Sequence, residues 1–178
     1  MSSTSSTGST GSISSSPAPA ELLTDRLRLR TWPGDDVAAV LAGEWSAGWA
    51  EDFPAEGDQV IVGLFADNPA WLGEFGHRQI IERESGLVVG SIGLFWPPGD
   101  DGALEIGYGV VASRRGRGYA SEATRALTAF ALTAPGVHSV AAGVELSNPA
   151  SVRVLEKAGF ERCGDGPEEN TARYRVIR

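Results

Sequence analysis

The sequence predicts a mixed α/β domain of the α+β kind, with helices packed on one sheet. Three observations predict it. Segments of period-two alternation are interleaved with segments of helical spacing. Three strand-like segments follow one another in the middle of the chain. Glycine or proline punctuates most junctions. A length of 178 residues suits a single domain. Hydrophobic and charged contents of 42% and 21% are those of an ordinary globular protein.

Residues 1–20 form a serine-, threonine- and glycine-rich tract with one isoleucine, expected to be a disordered tail. They carry neither the charged start nor the apolar stretch of a secretory leader. Residues 21–178 are expected to form the domain. Leu27 to Thr31, LRLRT, alternates apolar and basic residues and reads as a half-buried strand. Pro33 to Asp36 supplies helix-start chemistry ahead of the apolar run Val37 to Ala42. Ile80, Ile81 and Arg83 lead through a turn at Ser85 and Gly86 into a second strand, Leu87 to Phe95. After a polar turn, Ala103 to Val111 is the third. From Tyr119 on, Ala120, Ala123, Thr124, Leu127, Phe130 and Ala131 recur at spacings of three and four, so this helix has an apolar face. Pro135 and Gly136 end it. Val137 to Leu146 is another strand. Asn148 and Pro149 cap and open a short helix running to about Ala158, stopped by Gly159. Thr171 to Arg178 closes as a terminal strand.

Composition excludes several classes of function. A net charge of -8 argues against general binding to nucleic acid or an anionic membrane. One cysteine, Cys163, and two histidines, His77 and His138, offer no disulfide and no zinc cluster, so no metal is expected. No apolar run approaches the ~18 residues of a membrane span. The chain reads as cytoplasmic.

The densest positive charge lies in SRRGRGYASEA, Ser113 to Ala123. A strand ends just before it and a helix begins inside it. The first amides of a helix lack intrahelical partners and sit at the positive end of its dipole. Gly116 and Gly118 let a ligand approach the backbone, so this is an anion site in the making. Arg114, Arg115 and Arg117 add charge for more than one phosphate. The third glycine of a dinucleotide-binding fingerprint and the Gly-Lys-Ser/Thr ending of a P-loop are both missing. A solvated turn with surface arginines is the plainer alternative.

The spacing Arg115-x-x-Gly118-x-Ala120 resembles the Q/R-x-x-G-x-G/A motif of the GNAT superfamily of acetyl-coenzyme A-dependent N-acetyltransferases. Leu22 to Trp32 resembles the opening strand of its RimJ/RimL-like branch. LEIGYGV before the loop and NPASVRVLEKAGFER after it are similar to that family as well, in the same order. The resemblance covers residues 21 to 178. It implies the GNAT fold: a mixed, mostly antiparallel twisted sheet with helices on both faces. It also implies acetyl-CoA as co-substrate, an amine as acceptor and, as in many members, a homodimer. By resemblance, the backbone of Gly109, Val110 and Val111 pairs with the pantetheine arm where two strands splay. The amides of Arg115, Gly116, Arg117, Gly118, Tyr119 and Ala120 hold the pyrophosphate. Asn148 and Ser151 lie beside the pantetheine and the reacting thioester.

An attacking amine of pKa ~10.4 must lose a proton near neutral pH, and a carboxylate can take it. Glu105 stands at the family's glutamate position on the strand before the loop. The tyrosine that serves many members as general acid is replaced by Leu155, which leaves Ser151, Tyr108 or water for that role. Between Thr31 and Gly76 nine acidic residues meet no lysine or arginine, and four of the five tryptophans lie there. By resemblance this region walls the acceptor cleft. Trp45, Trp49, Glu51 and Asp52 are then candidates to bind a cationic amine with an apolar portion. A protein N-terminus as acceptor, and a non-catalytic acyl-CoA sensor, are the competing readings.

Overall fold

A computed structural model describes residues 21–178, so the expectation of a disordered tail falls outside the described residues. The chain opens with β1 (Glu21–Leu23) and β2 (Leu27–Thr31), an antiparallel hairpin in which the Thr24 amide bonds to Leu27 O. The expected single opening strand is therefore two. Helices α1 (Gly34–Ala42) and α2 (Glu56–Leu64) follow, then β3 (His77–Glu82), β4 (Val88–Leu94) and β5 (Ala103–Val110) as an antiparallel meander. Next come α3 (Tyr119–Ala131), β6 (Ser139–Glu145), α4 (Pro149–Lys157), β7 (Glu161–Asp165) and β8 (Thr171–Ile177).

The eight strands form one sheet in the order β1-β2-β3-β4-β5-β6-β8-β7. Only β5 and β6 run parallel, joined by α3 as the crossover. Side chains alternate across a strand, so register fixes what each face carries. Gln79, Ser91 and Gly109 are successive partners on one face. Gln79 donates to Asp36 of α1, and Ser91 donates to Asp58 of α2, so α1 and α2 cover that face. Arg78 and Ile92 point the other way, and the Arg78 guanidinium lies over the Phe130 ring of α3. Helices thus cover both faces of a mostly antiparallel sheet, as expected.

The core fills both interfaces. Leu27, Leu29, Ile80, Ile92, Leu104, Leu127 and Leu155 are fully buried, with Trp32, Trp49, Phe53 and Phe65 under α1 and α2. On α3 the expected apolar face is rotated slightly. Ala123, Thr124, Leu127 and Ala131 are buried as expected, but Ala120 and Phe130 are half-buried, while Tyr119, Ser121 and Thr128 turn inward. A strand at β7 and a helix at α2 lie outside the sequence expectations.

Candidate functional site

The pairing of β5 with β6 sets the site. It covers only Ala103↔Ser139, Leu104↔Val140 and Glu105↔Ala141, whereas β5 continues to Val110. Beyond Glu105 the β5–β6 pairing stops and the two strands part, leaving a fork. The fork opens into a groove of about 480 Å³. Its floor is Tyr108, Gly109 and Val110. One end is the loop and helix start, with Arg115, Gly116, Gly118, Tyr119 and Ala120. The far wall is α4, with Asn148, Ser151, Arg153 and Lys157.

The loop geometry offers donors that suit an anion. Gly118 is the N-cap of α3 in a left-handed conformation (φ 80°), and no side chain caps the helix. The Glu122 amide is the first to bond back, to Gly118 O at 3.1 Å, so the amides before it face outward. A Cβ at Gly116 would meet nothing within 4 Å. An uncapped helix start with glycine on its approach matches the donor set that a pyrophosphate requires.

Three contacts pin this loop to the sheet. Asp52 accepts from the Ser113 amide and hydroxyl at 2.9 and 2.7 Å. The Ser113 hydroxyl bond is the main reason its carboxyl lies below the ordinary aspartate value. Arg26 donates to Arg117 O at 2.6 Å and pairs with Glu122 at 2.9 Å. Glu82, at the end of β3, accepts from Tyr119 and Arg117 at 2.7 and 3.2 Å and from Arg114 at 3.5 Å.

These contacts correct one expectation. Arg114 and Arg117 do not stand free for phosphate: both turn back to Glu82, and Arg114 also approaches Glu51 at 3.7 Å. Arg115 donates from Nε to Val110 O at 3.0 Å. The charge cluster mostly builds the loop, although Arg114 and Arg115 also line the groove. The cationic side chains that line the far wall are Arg153 and Lys157, four apart on α4. That spacing is legible in VRVLEK, Val152 to Lys157.

Val111 needs a correction as well. It is 2% exposed, its amide bonds to Val89 O and its carbonyl accepts from Arg114 N, so both backbone groups are already used. Gly109 and Val110 remain at the groove, although the Val110 carbonyl accepts from Arg115; the Arg115 amide, also expected to hold the pyrophosphate, is used on Ala112 O at 3.3 Å.

At the fork the chemistry divides between faces. Glu105 is exposed, at the last paired position, and shares the Gly109 face with α1 and α2. Tyr108 lies on the opposite face, where its hydroxyl meets Ser151 Oγ at 2.9 Å. Burial pushes the Tyr108 hydroxyl up, and the Ser151 bond offsets this in part. It therefore keeps its proton at neutral pH. Asn148 Oδ1 accepts from the Ser151 amide at 3.2 Å, so Asn148 fixes the residue that holds Tyr108. Leu155, at the expected tyrosine position, is fully buried in the core.

The acceptor-wall candidates separate. Trp49 is 2% exposed, edge-on to Phe53 with its Nε1 donating to Asp36, so its indole is core rather than wall. Trp32, Phe53 and Phe65 are buried beside it. Trp45 is 58% exposed, with its Nε1 donating to Ala50 O at 3.3 Å. Glu51 and Asp52 reach Arg114 and Ser113 in the segment before α3 rather than a pocket of their own.

The family model described as the acetyltransferase (GNAT) domain matches residues 26–161. The chain is similar to an uncharacterized N-acetyltransferase of Bacillus licheniformis, 30% identical over 105 residues that make up 59% of each protein. It is 35% identical over 81 residues to an uncharacterized N-acetyltransferase of Bacillus subtilis, covering 46% of this chain and 48% of that one. The chain thus spans about half the length of these curated relatives. A GNAT-family acetyltransferase structure from Bacillus anthracis superposes with a TM-score of 0.64 at 23% identity, covering 88% of this chain and 98% of that chain, which shows a shared fold.

Proposed function

Since the chain belongs to the GNAT acetyltransferase family, we propose that it is an acetyl-CoA-dependent N-acetyltransferase of the RimJ/RimL-like branch, acting in the cytoplasm on a cationic primary amine. One observation carries the reading: the β5–β6 fork leads directly into the uncapped amides of α3 within a single groove. Acetyl-CoA, when bound, supplies the activated acyl group. The residues present fit its parts. Gly116, Gly118, Tyr119 and Ala120 offer amides to the pyrophosphate, Arg153 and Lys157 balance its charge, and the edge of β5 at Gly109 and Val110 suits an extended pantetheine. Among the described residues no helix is long and apolar enough to cross a membrane, which is compatible with the cytoplasm.

Glu105 takes the proton of the acceptor amine, directly or through water, on the face shared with α1 and α2. Tyr108, oriented by Ser151 and through it by Asn148, gives a proton to the departing thiolate from the opposite face. No metal is needed for this exchange. The acceptor is assigned as a cationic small amine because Thr31 to Gly76 carries nine acidic residues and no lysine or arginine, with Trp45 as an exposed aromatic face.

Thioester consumption across a panel of polyamines, aminoglycoside-like amines, amino acids and N-terminal peptides tests this. The expected acceptor is cationic, with a kcat/KM that falls as salt screens the attraction within ~10 Å at 0.1 M. An anionic acceptor, or a rate indifferent to salt, contradicts the acceptor assignment. Coenzyme A binding with no turnover on any amine would point to a sensor instead.

A further inference from the structure

Glu82 has no place in the chemistry above, yet it is the most heavily engaged carboxylate near the groove. It is 3% exposed, at the end of β3. A buried carboxylate is costly unless its oxygens are paired. Here Oε1 accepts from Ser85 at 2.7 Å and Arg114 at 3.5 Å, and Oε2 from Tyr119 at 2.7 Å and Arg117 at 3.2 Å. Three of these four partners come from one loop of six residues, 32 to 37 positions away in sequence.

We propose that Glu82 is the positioning residue of the phosphate loop: it fixes Arg114, Arg117 and Tyr119 against β3, so that the amides between them are held in the arrangement a diphosphate needs. The proposal rests on the reading of the groove as the coenzyme A site. The sign of the charge separates it from a purely electrostatic role. A carboxylate beside an anion site weakens anion binding by charge alone, and it also neutralises part of Arg114 and Arg117. On charge, removing it strengthens phosphate binding. On geometry, removing it releases the loop and weakens binding, because donors that must be ordered at the moment of binding cost affinity. Burial acts on the Glu82 carboxyl upward, but the Tyr119, Ser85 and Arg114 contacts outweigh it, so the group stays ionised at neutral pH.

The test compares coenzyme A affinity, by calorimetry, in the parent, Glu82→Gln, Tyr119→Phe and Gly118→Glu. S-acetylpantetheine, which lacks the pyrophosphate, serves as a second substrate. Glu82→Gln keeps the shape but loses charge-assisted bonds, and the expected result is a ~10-fold or larger rise in Kd for coenzyme A. Its kcat/KM with S-acetylpantetheine should stay within about twofold of the parent, as a loss confined to the phosphate loop requires. Tyr119→Phe removes one bond and keeps the carboxylate; about threefold weaker binding is expected, and this variant carries the test if Glu82→Gln does not fold. Unchanged or tighter coenzyme A binding, or an equal loss with both substrates, overturns the proposal. If Gly118→Glu abolishes binding while Glu82→Gln matches the parent, the positioning role alone fails. If Gly118→Glu binds as the parent does, the groove reading fails and takes this proposal with it.

Discussion

His77 provides a quantitative handle on the fold that holds the site. It is 2% exposed on β3, with its ring 5.0 to 5.7 Å from those of Phe65, Trp71 and Phe95 and its Nε2 without a hydrogen-bond partner among the described residues. Burial lowers the imidazole from 6.5 to about 4. Between these values the unfolded chain binds a proton that the folded chain refuses. Stability is therefore full above pH 6.5, falls as pH drops toward 4, and is flat below. The whole interval is worth about 3 kcal/mol, and roughly 2 kcal/mol of it falls between pH 7 and pH 5. For a domain of this size that corresponds to roughly 4–8 °C in Tm. Urea melts of the parent and of His77→Phe from pH 8 to 5 measure it. Other groups titrate too, among them Asp58, whose carboxyl burial raises and which acts in the opposite direction. They are common to both proteins, so the difference between the two curves isolates His77. That difference should change by about 2 kcal/mol between pH 7 and 5. Parallel curves would refute the placement of a neutral imidazole in this core.

Two further perturbations address catalysis. Glu105→Gln should lower kcat/KM on the order of 10²-fold near neutral pH and recover in part at alkaline pH, where solvent itself supplies free amine. A pH–rate profile parallel to the parent's removes Glu105 from the role of base. Tyr108→Phe should lower kcat with little change in coenzyme A affinity, by on the order of 10²-fold if no water substitutes. An unchanged kcat assigns thiol protonation elsewhere.

Much of this molecule was legible in the sequence because local chemistry and tertiary structure agree. The strand at Leu27 to Thr31, the central hairpin, α3 and the Asn148-Pro149 helix start all appear where alternation, spacing and capping put them. Gly109, Val110, Arg115, Gly116, Gly118, Tyr119 and Ala120 line one groove with Asn148 and Ser151. What escaped has physical reasons. Strand β7, ERCGD, is an exposed edge strand and so carries no apolar alternation. Helix α2 begins after Ala55, with no capping side chain; its signal was Asp58, which accepts from the Ala55 amide at 2.8 Å. Tryptophan content could not separate a wall from a core, and Trp49 proved to be core. The arginine cluster advertised charge, but its partner, Glu82, lies in IERES, where a single glutamate looks like part of a solvated turn. Only the return of β3 beside the loop makes it a clamp.

The coenzyme A site itself is tested most directly by titrating coenzyme A into the parent and into Gly118→Glu in a calorimeter, with folding checked by circular dichroism. Gly118 sits at φ 80° where the uncapped amides begin; a side chain there is strained, its Cβ comes 3.3 Å from the Arg26 guanidinium that holds the loop, and a carboxylate adds negative charge beside the place assigned to the pyrophosphate. Saturable binding by the parent and none by a folded Gly118→Glu protein is the expected result. Equal affinity in the two proteins would contradict the assignment of this groove to coenzyme A.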